Sequence, residues 1–296
     1  MPVLMPKHTL NVENPPRIGV AFSSGFFGFF AHAGFLEAVR ACGLQPLAFS
    51  GASSGAIVAA MAASGMTGSA IQEMLFRLRK RDFWDPDPWH TVLSFACRLF
   101  RGYTGYLRGE GFARLLTGLP VRTFEACKYP LAISATDLTH KKEAVFTEGD
   151  LIPAIQASGS VPVLFKPTRI YGVLYLDGGV TAKAPVEALS DLRELDIILV
   201  HFIASDNVDE PRHAFLNKRF TPWHMQHLAV NIARQKSYEK EVALVRSRGV
   251  DVIEVRTDAP SMGPDRLEKG PEAYEAARKA GLRILRKKLG NLIKNA

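Results

Sequence analysis

Between Arg17 and Gly65 the chain alternates apolar runs with helical patterns in an order that few folds accept. A short apolar run, Arg17 to Phe22, is closed by prolines on one side and a Ser/Gly turn on the other. A helical pattern from Phe29 to Cys42 ends at Gly43, a second apolar run covers Leu47 to Ser50, and an all-apolar helix from Ser54 to Ser64 stops at Gly65. Strand, helix, strand, helix at this spacing implies βαβ units, and those imply a largely parallel sheet with helices on its faces.

The rest of the chain continues the pattern. Strands are predicted at Tyr129–Thr136, Lys142–Phe146, Leu174–Leu176, Asp196–Phe202 and Asp251–Val255, and helices at Thr67–Arg81, Gly111–Leu116, Leu151–Ala157, His224–Arg248 and Pro271–Leu292. No repeat or long linker interrupts this order. The expectation is an N-terminal extension over 1–16 followed by one α/β domain over 17–296.

Composition narrows the class further. With 47% hydrophobic and 22% charged residues in 296, the chain has the balance of a globular protein, which excludes disorder and collagen-like structure. Cys42, Cys97 and Cys127 are too few and too far apart for a disulfide framework or a zinc site, and the proline-bearing stretch Met1 to Pro16 reads neither as a signal peptide nor as a spanning helix. A reduced, cytoplasmic setting without cofactor or metal is expected. The 37 Lys and Arg against 29 Asp and Glu give a net charge of +8, which would attract any polyanion, whether nucleic acid, acidic protein or anionic lipid headgroups, and so allows peripheral contact with an anionic membrane surface without naming a partner. No motif or basic-aromatic sheet pattern supports a nucleic-acid partner, and nothing in the sequence bears on oligomeric state.

Gly51-Ala52-Ser53-Ser54-Gly55 matches G-x-S-x-G and leaves a predicted strand to open a predicted helix. A nucleophile elbow needs that setting: the serine backbone is strained so that its hydroxyl projects above the sheet edge, and small neighbours are needed because side chains at Gly51 or Gly55 would collide with adjoining elements. Ser53 holds the nucleophile position, with Ser54 next to it as a backbone N–H donor. Ahead of it, Ser23-Ser24-Gly25-Phe26-Phe27-Gly28 joins the first strand to the first helix, where successive N–H groups can form an anion-binding nest. It lacks the first glycine of a dinucleotide loop.

These blocks, with Asp177-Gly178-Gly179 and its flanks Ala157 to Pro162 and Pro185, resemble the patatin-like phospholipases over Arg17 to about Pro185. The resemblance implies a three-layer α/β fold with a mainly parallel central sheet, and a serine acyl hydrolase that cleaves carboxylic esters of lipids. It assigns the catalytic pair to Ser53 and Asp177 without histidine, and oxyanion donors to the backbone around Gly25, Phe26 and Gly28. The loop departs from the family pattern, since Ser23 and Ser24 stand where glycines are usual and Phe27 where a basic residue is common. Two other readings accompany this one. His201 follows Asp177 and ends a predicted strand, which would allow a Ser-His-Asp triad; His32 is read as a packed helix residue. The altered loop and positive charge would also suit a non-catalytic lipid or membrane-surface binding module on the same fold. The aromatic residues Phe26, Phe27, Phe29 and Phe30, and a second set from Phe83 to Tyr106 interleaved with Arg98, Arg101 and Arg108, form either an acyl pocket with an interfacial flap or a cap packed over the sheet.

Overall fold

A computed structural model of the chain describes residues 15–87, 104–204, 222–260 and 262–293. In chain order, β1 (Ile18–Phe22) leads to α1 (Phe29–Ala41), and β2 (Ala48–Ala52) to α2 (Ser54–Ala63), α3 (Gly68–Phe76) and α4 (Lys80–Phe83). A short β3 (Gly105–Leu107) precedes α5 (Glu110–Leu116), β4 (Leu131–Asp137), β5 (Lys142–Phe146) and α6 (Leu151–Ser158). Three short strands follow, β6 (Val163–Phe165), β7 (Thr168–Ile170) and β8 (Val173–Leu176), and then α7 (Val186–Leu192) and β9 (Ile197–Ala204). The chain closes with α8 (Pro222–Ser247), β10 (Asp251–Asp258) and α9 (Gly270–Ile293).

The central sheet has the order β10-β9-β1-β2-β4-β8-β7, with β5 also paired to β4. The five strands from β10 to β4 are mutually parallel, while β5, β8 and β7 join by antiparallel pairing. The parallel block explains the unbroken apolar runs: β1, β2 and β4 are buried along their whole length because both faces are covered. Alternation divides the two cores. Val20, Phe22, Phe49, Ile133 and Leu199 face α1, α2 and α9, whereas Ala21, Ala48, Ile198 and Val200 face α7 and α8. The result is three layers, helices over sheet over helices.

Glycines let the outer layer close. A Cβ on Gly34 of α1 would sit 2.0 Å from the Tyr274 carbonyl oxygen of α9, and one on Gly270 would meet the Phe30 ring at 2.4 Å. The C-terminal helix is therefore locked along α1, and β10 is hydrogen-bonded to β9, so the last third of the chain is built into the same sheet and layer.

One sequence expectation is corrected. The helix expected over Thr67–Arg81 is two helices: the backbone at Arg79 is extended, and the Asp82 carboxylate accepts from the Arg79 N–H at 2.7 Å, restarting the helix as α4. The sheet is mainly parallel, as expected; its antiparallel part includes β7 and β8, which form a hairpin whose turn residues, Tyr171 and Gly172, both have positive φ. Phe95, Phe100, Tyr103, Trp89, Arg98, Arg101 and Cys97 lie outside the described residues, as do residues 1–14 of the proposed extension. Among the described residues no helix is long and apolar enough to cross a membrane.

Candidate active site

In a parallel sheet, loops at the carboxyl ends of the strands gather where the strand order reverses. Here the chain runs from β1 outwards through β2 to β4, and later returns to place β9 on the other side of β1. The loops after β1 and β2 open on this edge.

Ser53 follows β2 and caps α2 with φ 55° and ψ −122°, a conformation that non-glycine residues adopt only when the surroundings enforce it. The enforcement is visible. A Cβ on Gly51 would lie 2.4 Å from the carbonyl of Gly55, and a Cβ on Gly55 would lie 2.4 Å from the Phe22 carbonyl oxygen at the end of β1. The turn is thus pressed against itself and against the next strand, with room for glycine alone at both positions. From below, the Ser158 hydroxyl at the end of α6 accepts the Ser53 N–H at 2.9 Å.

Asp177 reaches Ser53 through the antiparallel part of the sheet. Ala52 pairs with Ser134 across β2 and β4, and Thr136 pairs with Leu176 across β4 and β8, so the residue after β8 arrives at the level of the serine turn. Gly178 permits the close approach, since a Cβ there would sit 2.2 Å from the Ser134 carbonyl oxygen. The Ser53 hydroxyl donates to Asp177 Oδ2 at 2.6 Å, and the Gly179 N–H donates to Oδ1 at 2.6 Å. Both side chains are buried. Burial pushes the Asp177 carboxyl up to about 6, opposed by the Ser53 hydroxyl, the Gly179 N–H and the charge of Arg234. Above that pH the carboxylate is ionised and placed to take a proton from the serine.

Arg234, on α8, is a member of this cluster that sequence reasoning missed. Its Nη1 donates to both the Ser24 hydroxyl and the Gly179 carbonyl at 2.8 Å, joining the loop after β1 to the loop carrying Asp177. These partners lie 210 and 55 residues away in sequence, and a single arginine on a long polar helix gives no signal of either.

In the loop after β1, the N–H groups of Ser23 and Ser24 donate to the carbonyls of His201 and Lys183. The Gly28 N–H donates to the Gly25 carbonyl at 3.1 Å, which corrects its expected role as an oxyanion donor. A Cβ there would sit 2.4 Å from the terminal methyl of Ile203 and 3.0 Å from Ser54 Oγ. Among the described residues the N–H groups of Gly25, Phe26 and Phe27 carry no bond, and Phe27 holds φ 53° as the loop turns.

The histidines stand elsewhere. His201 and His32 are fully buried on the α1 face, with their Nδ1 atoms 2.7 Å apart; His201 Nε2 pairs with the Thr257 hydroxyl at 2.8 Å and its ring stacks on Phe35. Both ring nitrogens of His201 are thus occupied away from Ser53 and Asp177. Burial lowers His32 to about 3 and holds His201 well below the usual imidazole range, so both are neutral at pH 7.

Beside the serine lies an apolar cavity walled by Phe27, Phe29, Ile57, Met61, Leu75, Phe83, Leu116 and Phe165, among others. Among the described residues that line it, only Ser53 and Ser54 bring polar side chains. Phe30 belongs to the core, Phe26 is 56% exposed, and Arg108 pairs with Asp87 outside the cavity wall.

A buried serine on a strained strand-to-helix turn, bonded to a buried carboxylate from the loop after β8 at the carboxyl edge of the parallel strands, defines a class of α/β protein built around an elbow serine. The model of the patatin-like phospholipase family matches residues 20–190, more than half of the chain, and the chain belongs to that family. An NTE family protein of Mycobacterium tuberculosis, itself described as uncharacterized, is 28% identical over 180 residues, covering 60% of this chain and 47% of that protein. The lysophospholipase NTE1 of Cryptococcus neoformans is 25% identical over 187 residues, which is 62% of this chain and 11% of that protein. The chain thus spans about half the length of the mycobacterial relatives it matches. Among solved structures, VipD from Legionella pneumophila is similar with a TM-score of 0.47 and 16% identity over 90% of this chain and 67% of that one. Human GIVD cytosolic phospholipase A2 is similar with a TM-score of 0.47 and 12% identity over 95% of this chain and 58% of that one.

Proposed function

We propose that the protein is a serine acyl hydrolase that cleaves carboxylic esters of lipids through Ser53 and Asp177, within one domain spanning residues 17–296. The observation that carries this reading is the 2.6 Å hydrogen bond from the Ser53 hydroxyl to the Asp177 carboxylate at the end of an apolar cavity. As Ser53 Oγ bonds to the ester carbonyl carbon, its proton passes to Asp177 Oδ2 and the carbonyl π pair moves onto oxygen. That anion meets the N–H groups of Gly25 and Phe26. Collapse expels the alcohol, which takes the proton from Asp177, and leaves an acyl group on Ser53. Water then attacks the acyl carbon with Asp177 again as base, releasing the fatty acid and restoring the serine.

The cavity suits an acyl tail: its wall is aromatic and aliphatic, with no charged side chain among the described lining residues. The family membership and the lysophospholipase name of a relative support a lipid ester as substrate, and the net charge of +8 supports peripheral contact with anionic membrane surfaces. Ser53→Ala is expected to abolish hydrolysis of a short p-nitrophenyl ester while circular dichroism and melting temperature stay near those of the parent. Full activity in that variant would remove Ser53 from the mechanism. The non-catalytic alternative expects vesicle binding without turnover in both proteins.

A further inference from the structure

Ser54 is the first residue of α2 and is 5% exposed. Its Oγ is buried with no hydrogen-bond partner. An unpaired buried hydroxyl lowers stability relative to an apolar group of the same size, because it has lost water and gained nothing in return.

Its position gives it another use. Ser54 and Ser53 are the two polar side chains on the described wall of the apolar cavity, whose lining also includes Gly25. Ser54 Oγ lies under the loop after β1: it would be 3.0 Å from a Cβ on Gly28 and 3.8 Å from one on Gly25. The same loop presents the unbonded N–H groups of Gly25 and Phe26. Ser54 also sits at the N-terminus of a ten-residue helix whose cap makes no side-chain hydrogen bond, so the positive end of α2 points at the same place. Backbone donors, a helix end and a free hydroxyl thus converge beside the nucleophile.

We propose that the Ser54 hydroxyl is a catalytic hydrogen-bond donor to the oxyanion, acting beside the backbone N–H groups of Gly25 and Phe26. The inference rests on the serine hydrolase reading above. The Ser54 proton stays on its oxygen throughout. As the carbonyl π pair moves onto the substrate oxygen, that oxygen becomes a far stronger acceptor, so the hydrogen bond strengthens in the transition state and acts on turnover more than on binding. An unsatisfied donor in the free enzyme is thus satisfied at the moment charge develops.

The test compares Ser54→Ala with the parent and with Ser53→Ala, measuring kcat and KM on a soluble p-nitrophenyl ester, melting temperature, and labelling of Ser53 by a fluorophosphonate. The expected result is a kcat lower by about 10- to 100-fold, KM within about twofold, and slower labelling. Melting temperature should be equal to or above that of the parent, since the variant loses only an unpaired hydroxyl. Unchanged kcat in Ser54→Ala overturns the proposal. So does a loss of activity accompanied by a lower melting temperature, which would make the hydroxyl structural. A parent that neither turns over nor labels at Ser53 would instead defeat the hydrolase reading itself, and the two failures are therefore separable.

Discussion

Two buried polar pairs stand on the same sheet and respond to burial in opposite senses. Ser53 and Asp177 meet at the carboxyl edge beside a cavity, where desolvation raises the aspartate to about 6. His32 and His201 meet inside the core beneath α1, where desolvation drives both imidazoles down. A buried carboxyl with a raised pKa is still ionised at neutral pH and becomes a stronger base. A buried imidazole with a lowered pKa is a poorer one. The hydrogen bonds of the second pair are also self-contained: the two Nδ1 atoms bond to each other, His201 Nε2 pairs with the Thr257 hydroxyl, and of the four ring nitrogens only His32 Nε2 lacks a partner. The pair on which the proposed mechanism rests is the one beside the cavity, and it contains no histidine.

The sharpest way to break this contrast is Asp177→Asn. Activity should fall by about a thousandfold or more, because the general base is gone. Stability should move the other way. The folded-state pKa of Asp177 lies above its unfolded value, so its contribution is full below pH 3.8 and lost as pH rises through about 6. A shift of that size corresponds to roughly 3 kcal/mol. The variant should therefore melt higher than the parent at pH 8, with a smaller difference at pH 5. An inactive variant that is also less stable at pH 8 would contradict the assignment of a buried charge held for catalysis.

Arg234→Met comes next in size. Removing a charge that favours the ionised carboxylate, together with the link between the Ser24 and Gly179 loops, should lower kcat/KM at pH 7 by about 10- to 100-fold. The acid limb of the pH profile should move above about 6. Arg234→Lys retains the charge and should leave the limb closer to its parent position. A limb that stays in place in Arg234→Met would show that the arginine acts on the loops alone.

His201→Gln sharpens the comparison from the other side. It removes the stack on Phe35 and the pairing with His32, so a stability loss of about 1–3 kcal/mol is expected. The acid limb should not move and kcat should change by less than about fivefold. A Ser-His-Asp mechanism demands the reverse, a near-complete loss of turnover in a folded protein. The smallest effect concerns acid stability. Because both imidazoles are held below their unfolded value, their contribution is full above pH 6.5 and declines as pH falls below it. Melting temperatures of a His32→Gln/His201→Gln double variant should therefore depend less on pH between 7 and 5 than those of the parent.

Much of this arrangement was legible in the sequence where the signal is local. The alternation from Arg17 to Gly65 specified β1, α1, β2 and α2 to within a residue or two, and the Gly51 to Gly55 turn announced its own crowding. Asp177 was reached by resemblance, since Asp-Gly-Gly by itself reads as a turn, and it does cap one through Gly179. What stayed hidden depends on topology. The hairpin of β7 and β8 is made of short, half-buried strands with little periodicity, yet its antiparallel pairing to β4 is what carries Asp177 to Ser53. The pairing of His32 with His201 and the reach of Arg234 to Ser24 join residues 169 and 210 positions apart, which no window of sequence can anticipate.

The central claim is tested most directly by locating the adduct that a fluorophosphonate forms on the intact protein, using peptide mass mapping of the parent and of Asp177→Asn at pH 7.5. The account expects a single adduct on Ser53 in the parent and little or none in the variant over the same time. An adduct on any other residue, or equal labelling of Ser53 without the carboxylate, would contradict it.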